Sequence, residues 1–302
     1  MTIRIGTRKS KLALWQAEFV AEKLKEKGVD TELVTIETQG DKIQNVAISK
    51  IGSKGVFTQE LELKLENGEI DIAVHSAKDL QSTLPDGYEI LAFTSREKVN
   101  DVVVSDHSIQ LDQPLVLGTS SNRRIAYFKH YYPHIKLVDI RGNLQTRFQK
   151  MRSGHCQGMV LAFAGVHRMG FDAHIRHELD VRQIIPAVGQ GSVAVECHSN
   201  LEEEKRALIK QTVNDEGTES TIRAERSYLA KMNGGCSIPI YGLAEKKGDT
   251  ISLRGGIISL DGKKMIVESV FGIDPEEVGK SLAEKVIGKG GDKILKEIRS
   301  QL

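Results

Sequence analysis

Apolar positions in this chain fall into short β-branched runs separated by helical repeats and by polar, glycine-bearing turns. The most continuous run opens Ile70-Asp71-Ile72-Ala73-Val74-His75-Ser76-Ala77-Lys78-Asp79-Leu80. Its first half fits a strand buried on both faces of a sheet. Its second half is a polar His-Ser-x-Lys-Asp cluster at the strand's carboxyl end, where open α/β sheets bind their ligands. The same alternation of strand and helix surrounds it. Strands are predicted at 4–6, 31–37 and 88–93. Helices follow from Leu12, Trp15, Phe19, Val20 and Leu24, with Gly28 as the stop, and over 57–66, ended by Asn67-Gly68. The polar segment 38–55 lacks periodicity and reads as a mobile lid carrying Lys54.

A second unit repeats this logic. Strands are expected at 101–105, 115–117, 136–140 and 158–163, then a glycine-punctuated connection (184–192) into a strand at 193–197. Helices over 201–213 and 218–232 lead to a tail of two strands around the Asp261-Gly262 turn and two final helices. The pattern predicts an α/β fold of two domains joined by hinge crossovers near 94–100 and 185–192, plus a small α+β C-terminal domain. The expected boundaries are 1–96 with 192–213, 97–191, and 214–302.

Composition narrows the function. Lys and Arg total 42 against 41 Asp and Glu, a net charge of +1, so there is no basic field for nucleic acid. No apolar run is long enough to span a bilayer, and the N-terminus lacks an export-type apolar core, so no membrane partner and a cytoplasmic location are expected. Cys156, Cys197 and Cys236 are far apart in sequence, which argues against a metal site or a disulfide framework. Cys156 and Cys197 lie in apolar surroundings, whereas Cys236 follows two glycines in Asn233-Gly234-Gly235-Cys236-Ser237-Ile238-Pro239, a loop suited to presenting a thiol.

Three successive strand ends of the second unit deliver arginine: Arg123 and Arg124 after Gly118-Thr119-Ser120-Ser121-Asn122, then Arg141-Gly142-Asn143 with Arg147, then Arg168. Guanidinium forks grip carboxylate or phosphate bidentately, and small residues at a helix start add backbone donors. Arg8 and Ser10 occupy the equivalent join in the first unit. This is a site for a ligand with several anionic groups. A hinged solute-binding protein and a phosphate- or nucleic-acid-binding protein are the competing readings; the Gly-Gly-Cys loop disfavours the first and the neutral charge balance the second.

Read together, GTRKSKLALWQA at 6–17, SKGVFTQEL at 53–61, HSAKD at 75–79, GTSSNRR at 118–124, RGNLQTR at 141–147, AGVHRMG at 164–170, PAVGQG at 186–191 and NGGCSIP at 233–239 resemble the porphobilinogen deaminase (hydroxymethylbilane synthase) family, in order and over essentially the whole chain. The resemblance implies two domains like those of type II periplasmic binding proteins plus a small cysteine-bearing domain. It implies a transferase that condenses four porphobilinogen molecules head to tail with loss of ammonia, then hydrolyses the product to hydroxymethylbilane. Its cofactor would be a dipyrromethane in thioether linkage to Cys236. Asp79 would be the catalytic carboxylate. The cofactor would be bound by Ser76, Lys78, Asp79, Thr119, Ser121, Arg123, Arg124, Arg141, Gly142 and Arg147. Substrate would be bound by Arg8, Ser10, Gln16, Lys54, Phe57, Arg141, Arg147, Arg168 and Gln190. A cytoplasmic monomer is expected. Two departures stand out: Leu80-Gln81-Ser82-Thr83 follow Asp79 where the family has a proline soon after, and Asn122 replaces a commonly apolar residue.

Overall fold

The computed structural model describes residues 1–38, 58–235 and 237–302. In chain order these form β1 (Thr2–Arg8), α1 (Lys11–Lys25), β2 (Asp30–Ile36), α2 (Gln59–Glu66), β3 (Ile72–Ser76), β4 (Tyr88–Phe93), β5 (Asp101–Val104), β6 (Val116–Gly118), α3 (Asn122–Tyr131), β7 (Lys136–Val138), α4 (Leu144–Arg152), β8 (Gly158–Ala162), α5 (Phe163–Arg168) and β9 (Ile175–Glu178). They continue with β10 (Val193–His198), α6 (Glu203–Val213), α7 (Glu216–Lys231), β11 (Ile240–Lys247), β12 (Thr250–Ile258), β13 (Met265–Gly272), α8 (Pro275–Gly288) and α9 (Gly291–Gln301). The chain divides into two compact units, Met1–Glu97 with Gly191–Ser220, and Lys98–Gln190 with Thr221–Leu302.

The first unit is one sheet in the order β2-β1-β3-β10-β4. β1 runs parallel to β2 and β3, whereas β10 runs antiparallel to both β3 and β4. Its apolar strands are covered by α1 through Ala13, Ala17, Val20, Ala21 and Leu24, and the core continues through Ile3, Ile5, Val74 and Val195. Of the five residues whose spacing predicts this helix, Val20 and Leu24 lie in the core with the alanines, whereas Leu12, Trp15 and Phe19 are half-buried. The rings of Trp15 and Phe19 stack on each other, 5.4 Å apart.

The five-stranded sheet of the second unit has the matching order β7-β6-β8-β5-β9, with β6 parallel to β7 and β8 and β5 antiparallel to β8 and β9. A three-stranded antiparallel sheet, β11-β12-β13, is backed by α8 and α9 through Leu282, Val286, Ile294 and Ile298. Tyr241 and Ile258 of this sheet share a core with Tyr127 and Phe128 of α3. The fold class is the expected one, two α/β sheets with a small C-terminal α+β layer. Two strands went unforeseen. β9 is a short polar sheet edge, and β11 places only Ile240, Tyr241, Gly242 and Ala244 inside before ending in exposed charge.

The chain passes between the units at 97–98, 190–191 and 220–221, and the first two passages are tightly specified. Gly191, at φ +100°, sits where a Cβ would lie 2.4 Å from the Glu97 carbonyl oxygen, so only glycine fits there. At the start of β5, Asp101 is fully buried and bonded by Arg123 Nη2 at 2.7 Å and Arg124 Nη2 at 2.8 Å. Burial alone would push the Asp101 carboxyl up, but the two guanidinium charges outweigh it and hold the group far below its ordinary range. Gln190 Nε2 adds a bond to Asp101 at 3.0 Å and one to the Val99 carbonyl at 2.7 Å. Replacing Asp101 by Asn leaves two buried cations short of charge, and should cost about 3 kcal/mol or more in denaturant unfolding. Because the folded carboxyl titrates below its unfolded value, the stability it adds is complete above about pH 4 and is lost as pH falls further. Asp101→Asn should therefore flatten the acid limb of a stability–pH curve.

Candidate active site

The polar end of β3 forms the floor of a pocket in the first unit. After Ser76 the chain enters a single 3-10 turn, Ala77–Asp79, which turns Asp79 out to solvent while Ala77 and Leu80 stay buried. Arg8 from the end of β1, Ser10 and Gln16 from α1, and Ser76, Asp79, Thr58 and His75 line this pocket. Ser10 caps α1, its hydroxyl accepting from Ala13 N at 3.3 Å, and lines the pocket as well. Gln16, nearly inaccessible to solvent, donates through Nε2 to the Ser76 hydroxyl at 2.8 Å. That bond fixes the hydroxyl next to Lys78 and Asp79. Sequence reasoning gave no role to Thr58 or His75; His75 stood inside the quoted motif, yet its inward direction follows only from the strand's register. Lys54 and Phe57, and with them the lid expected over 38–55 beyond Thr38, lie outside the described residues.

In the second unit the loop Thr119–Ser121 joins β6 to α3. Thr119 N donates to the Val138 carbonyl at 3.0 Å, and Thr119 Oγ1 accepts from Ser121 N at 3.3 Å. The Ser120 hydroxyl donates to the Ile140 carbonyl at 2.7 Å and accepts from Ile140 N at 3.2 Å, tying this loop to the start of the Arg141 turn. There Arg141 pairs with Asp139 at 3.3 Å, and Arg147 Nε donates to the Gly142 carbonyl at 2.8 Å. Gly142 has φ +112°, and a Cβ would press within 2.8 Å of Thr146. Arg168, half-buried, ends α5.

Three expected ligand contacts are placed differently. Arg123 and Arg124 are buried against Asp101, with further bonds to the Ile185 and Val160 carbonyls, so their named bonds hold the protein together. Gln190, expected among the substrate-binding residues, is buried in the same cluster. Each signal was the residue type alone; Asp101 heads an apolar strand and gave no hint of pairing. Arg124 Nε is the exception, buried and without a hydrogen-bond partner.

Cys236 lies outside the described residues. Its flank is placed: Ser237 accepts through its carbonyl from Asn122 Nδ2 at 2.8 Å, which anchors the chain after residue 236 at the start of α3. The hydroxyls of Thr119 and Ser121 and the guanidiniums beyond them are donors of the kind that carboxylate groups accept from. The other two cysteines are buried, and burial raises both thiols, that of Cys197 to about 11, leaving them weak nucleophiles. Among the described residues no group of three or more His, Cys, Asp or Glu could hold a metal ion, and no helix is long and apolar enough to cross a membrane.

A family model described as "Porphobilinogen deaminase, dipyromethane cofactor binding domain" matches residues 3–206, and one described as "Porphobilinogen deaminase, C-terminal domain" matches residues 220–288. The porphobilinogen deaminase of Desulfosudis oleivorans is 50% identical over 308 aligned residues, spanning 100% of this chain and 99% of its own length. That of Cytophaga hutchinsonii is 51% identical over 306 residues, spanning 100% and 98%. Among solved structures, the VFT2 domain of BvgS from Bordetella pertussis aligns with a TM-score of 0.44 at 16% identity, covering 75% of this chain and 92% of that one. Matched by both family models and about half identical to these two relatives along their whole length, the chain belongs to the porphobilinogen deaminase family.

Proposed function

We propose that Asp79 is the carboxylate on which this deaminase's chemistry turns, that Cys236 carries the dipyrromethane, and that the strand-end cations bind the acetate and propionate groups of porphobilinogen. The observation carrying this is the Ala77–Asp79 turn, which exposes one carboxylate in a pocket whose other polar groups are Arg8, Ser10, Gln16, Thr58, His75 and Ser76. The reaction joins four porphobilinogen molecules head to tail, releases ammonia at each step, and ends in hydrolysis to hydroxymethylbilane. When bound, the dipyrromethane supplies the pyrrole carbon to which the first substrate is joined.

The residues divide the work by charge. Loss of ammonia from porphobilinogen leaves a cation with a pyrrole N–H. A carboxylate at Asp79 can accept that N–H and offset the positive charge where it develops, the kind of preorganised electrostatic stabilisation that dominates many enzymes. Ser76, held by Gln16, and Lys78 fix the approach to Asp79. Arg8 and Ser10 take substrate carboxylates, with Lys54 and Phe57 as further substrate-binding residues. Thr119, Ser121, Arg141, the Gly142 backbone, Arg147 and Arg168 take the carboxylates of the bound pyrroles and the growing chain. Arg123 and Arg124 serve the same site at one remove, by locking α3 and β5 around Asp101, with the unpartnered Nε of Arg124 as the donor that remains for a ligand. Each addition brings two more carboxylates, which accounts for many arginines in a chain of net charge +1. A cytoplasmic monomer is part of the same reading and is carried by the family alone.

Replacing Asp79 by Asn keeps the side chain's shape and removes its charge. Steady-state ammonia release from porphobilinogen should fall by roughly a hundredfold or more, with melting behaviour unchanged because the side chain is exposed. Normal turnover by Asp79→Asn would end the assignment. Arg141→Leu should act differently, raising KM for porphobilinogen about tenfold through one lost charge-assisted contact; an unchanged KM would remove Arg141 from the binding set.

A further inference from the structure

Under the Asp79 turn lies a group of ionisable side chains that the reaction described above does not use. Glu196 of β10 is fully buried, and its Oε2 is 2.9 Å from Nε2 of His75, itself nearly inaccessible. The two are close enough for an ion pair, but the imidazole does not meet hydrogen-bond geometry, and neither Glu196 oxygen has a hydrogen-bond partner. Glu62 of α2, also buried, faces the same pair, and burial pushes its carboxyl up, with the Glu196 charge adding to the rise. Gln81 Nε2 donates to Glu62 Oε1 at 3.2 Å and to Thr58 Oγ1 at 3.4 Å. Tyr88 of β4 adds a bond from its hydroxyl to the Glu62 backbone carbonyl at 2.9 Å.

Sequence order gives this cluster its meaning. His75 stands four residues before Asp79 and Gln81 two residues after it. Both ends of the exposed turn are therefore engaged with buried carboxylates, one on β10 and one on α2. A buried carboxylate is expensive, and apolar packing would serve the fold at least as well. Such groups concentrated beside an exposed acid mark a functional arrangement. Leu80 between them is extended, at φ −72° and ψ 148°, and buried, so the turn has a fixed exit as well as a fixed entry.

We propose that Gln81 and Glu62, together with the His75–Glu196 pair, form a clasp that holds the Asp79 turn in position, making Gln81 and Glu62 positioning residues of the deaminase reaction. His75 of the clasp lines the Asp79 pocket, and the clasp acts on the reaction through the turn. It sets where the Asp79 carboxylate stands, and displacements of about 1 Å in such a group can cost as much as a hundredfold in rate. The inference rests on Asp79 being the reacting carboxylate.

The test uses the holoenzyme with porphobilinogen as substrate, comparing wild type, Gln81→Ala, Glu62→Gln and the double variant in steady-state ammonia release and thermal melting. Each single variant should lose roughly tenfold in kcat with KM held within about twofold. The double variant should be no slower than the slower single, because both changes open one clasp. Gln81 is half-buried and its side-chain amide bonds to Glu62 and Thr58 of the cluster, so Gln81→Ala tests the clasp even where Glu62→Gln unfolds. Wild-type kcat in Gln81→Ala, or losses that multiply in the double variant, would overturn the clasp. Those outcomes, with active wild type and inactive Asp79→Asn, would leave the catalytic assignment standing; an active Asp79→Asn would remove both.

Discussion

A chain that leaves one sheet for another and then returns must close the first sheet with a strand arriving from more than ninety residues away, and here that strand is β10. It lies antiparallel between β3 and β4, pairing Val193 with Ser76 and Ala194 with His75. This pairing fixes the carboxyl end of β3, and with it the turn that exposes Asp79. The second unit solves the same problem with β5, inserted antiparallel between β8 and β9. At the start of β5 the solution is electrostatic: Asp101 binds two arginines from α3 and the amide of Gln190. Each sheet thus depends on one long-range strand, and each long-range strand carries a buried carboxylate, Glu196 or Asp101.

The functional division follows from that construction. The first unit offers a carboxylate on a held turn, and the second offers hydroxyls and guanidiniums on loops that brace one another through Ser120 and Ile140. Rigid loops at strand ends supply orientation without further cost when ligand arrives. The arginines divide into those spent on the fold, Arg123 and Arg124, and those on turns, Arg141, Arg147 and Arg168. The same residue type therefore does two jobs, and only geometry separates them.

Much of this was legible in the sequence. Buried strands such as β3, β5 and β8 each carry an apolar run of at least three residues, so their existence follows from composition over a few residues. The regular recurrence of arginine after successive strands likewise pointed to anion chemistry. What stayed hidden depends on partners distant in sequence. Asp101 heads an apolar run, so nothing local marks it as the counter-charge for residues 123 and 124. Edge strand β9 is polar because only one side of it is covered, and β11 is half exposed. The helix α1 shows the same limit: period 3.6 identifies the helix, but not which of its apolar positions, Val20 and Leu24 rather than Leu12, Trp15 and Phe19, enter the core. Nothing local marks Glu62 and Glu196 as the carboxylates that the fold buries.

The central claim is that Cys236 carries a covalent two-pyrrole primer for the chemistry at Asp79. The most direct test is the intact mass of the purified protein under denaturing conditions, beside a Cys236→Ser variant. Wild type should exceed its polypeptide mass by one two-pyrrole unit, present from purification or acquired on incubation with porphobilinogen, and the variant should show no excess. A wild-type mass that stays at the bare polypeptide after incubation, or an equal adduct on the variant, would contradict it.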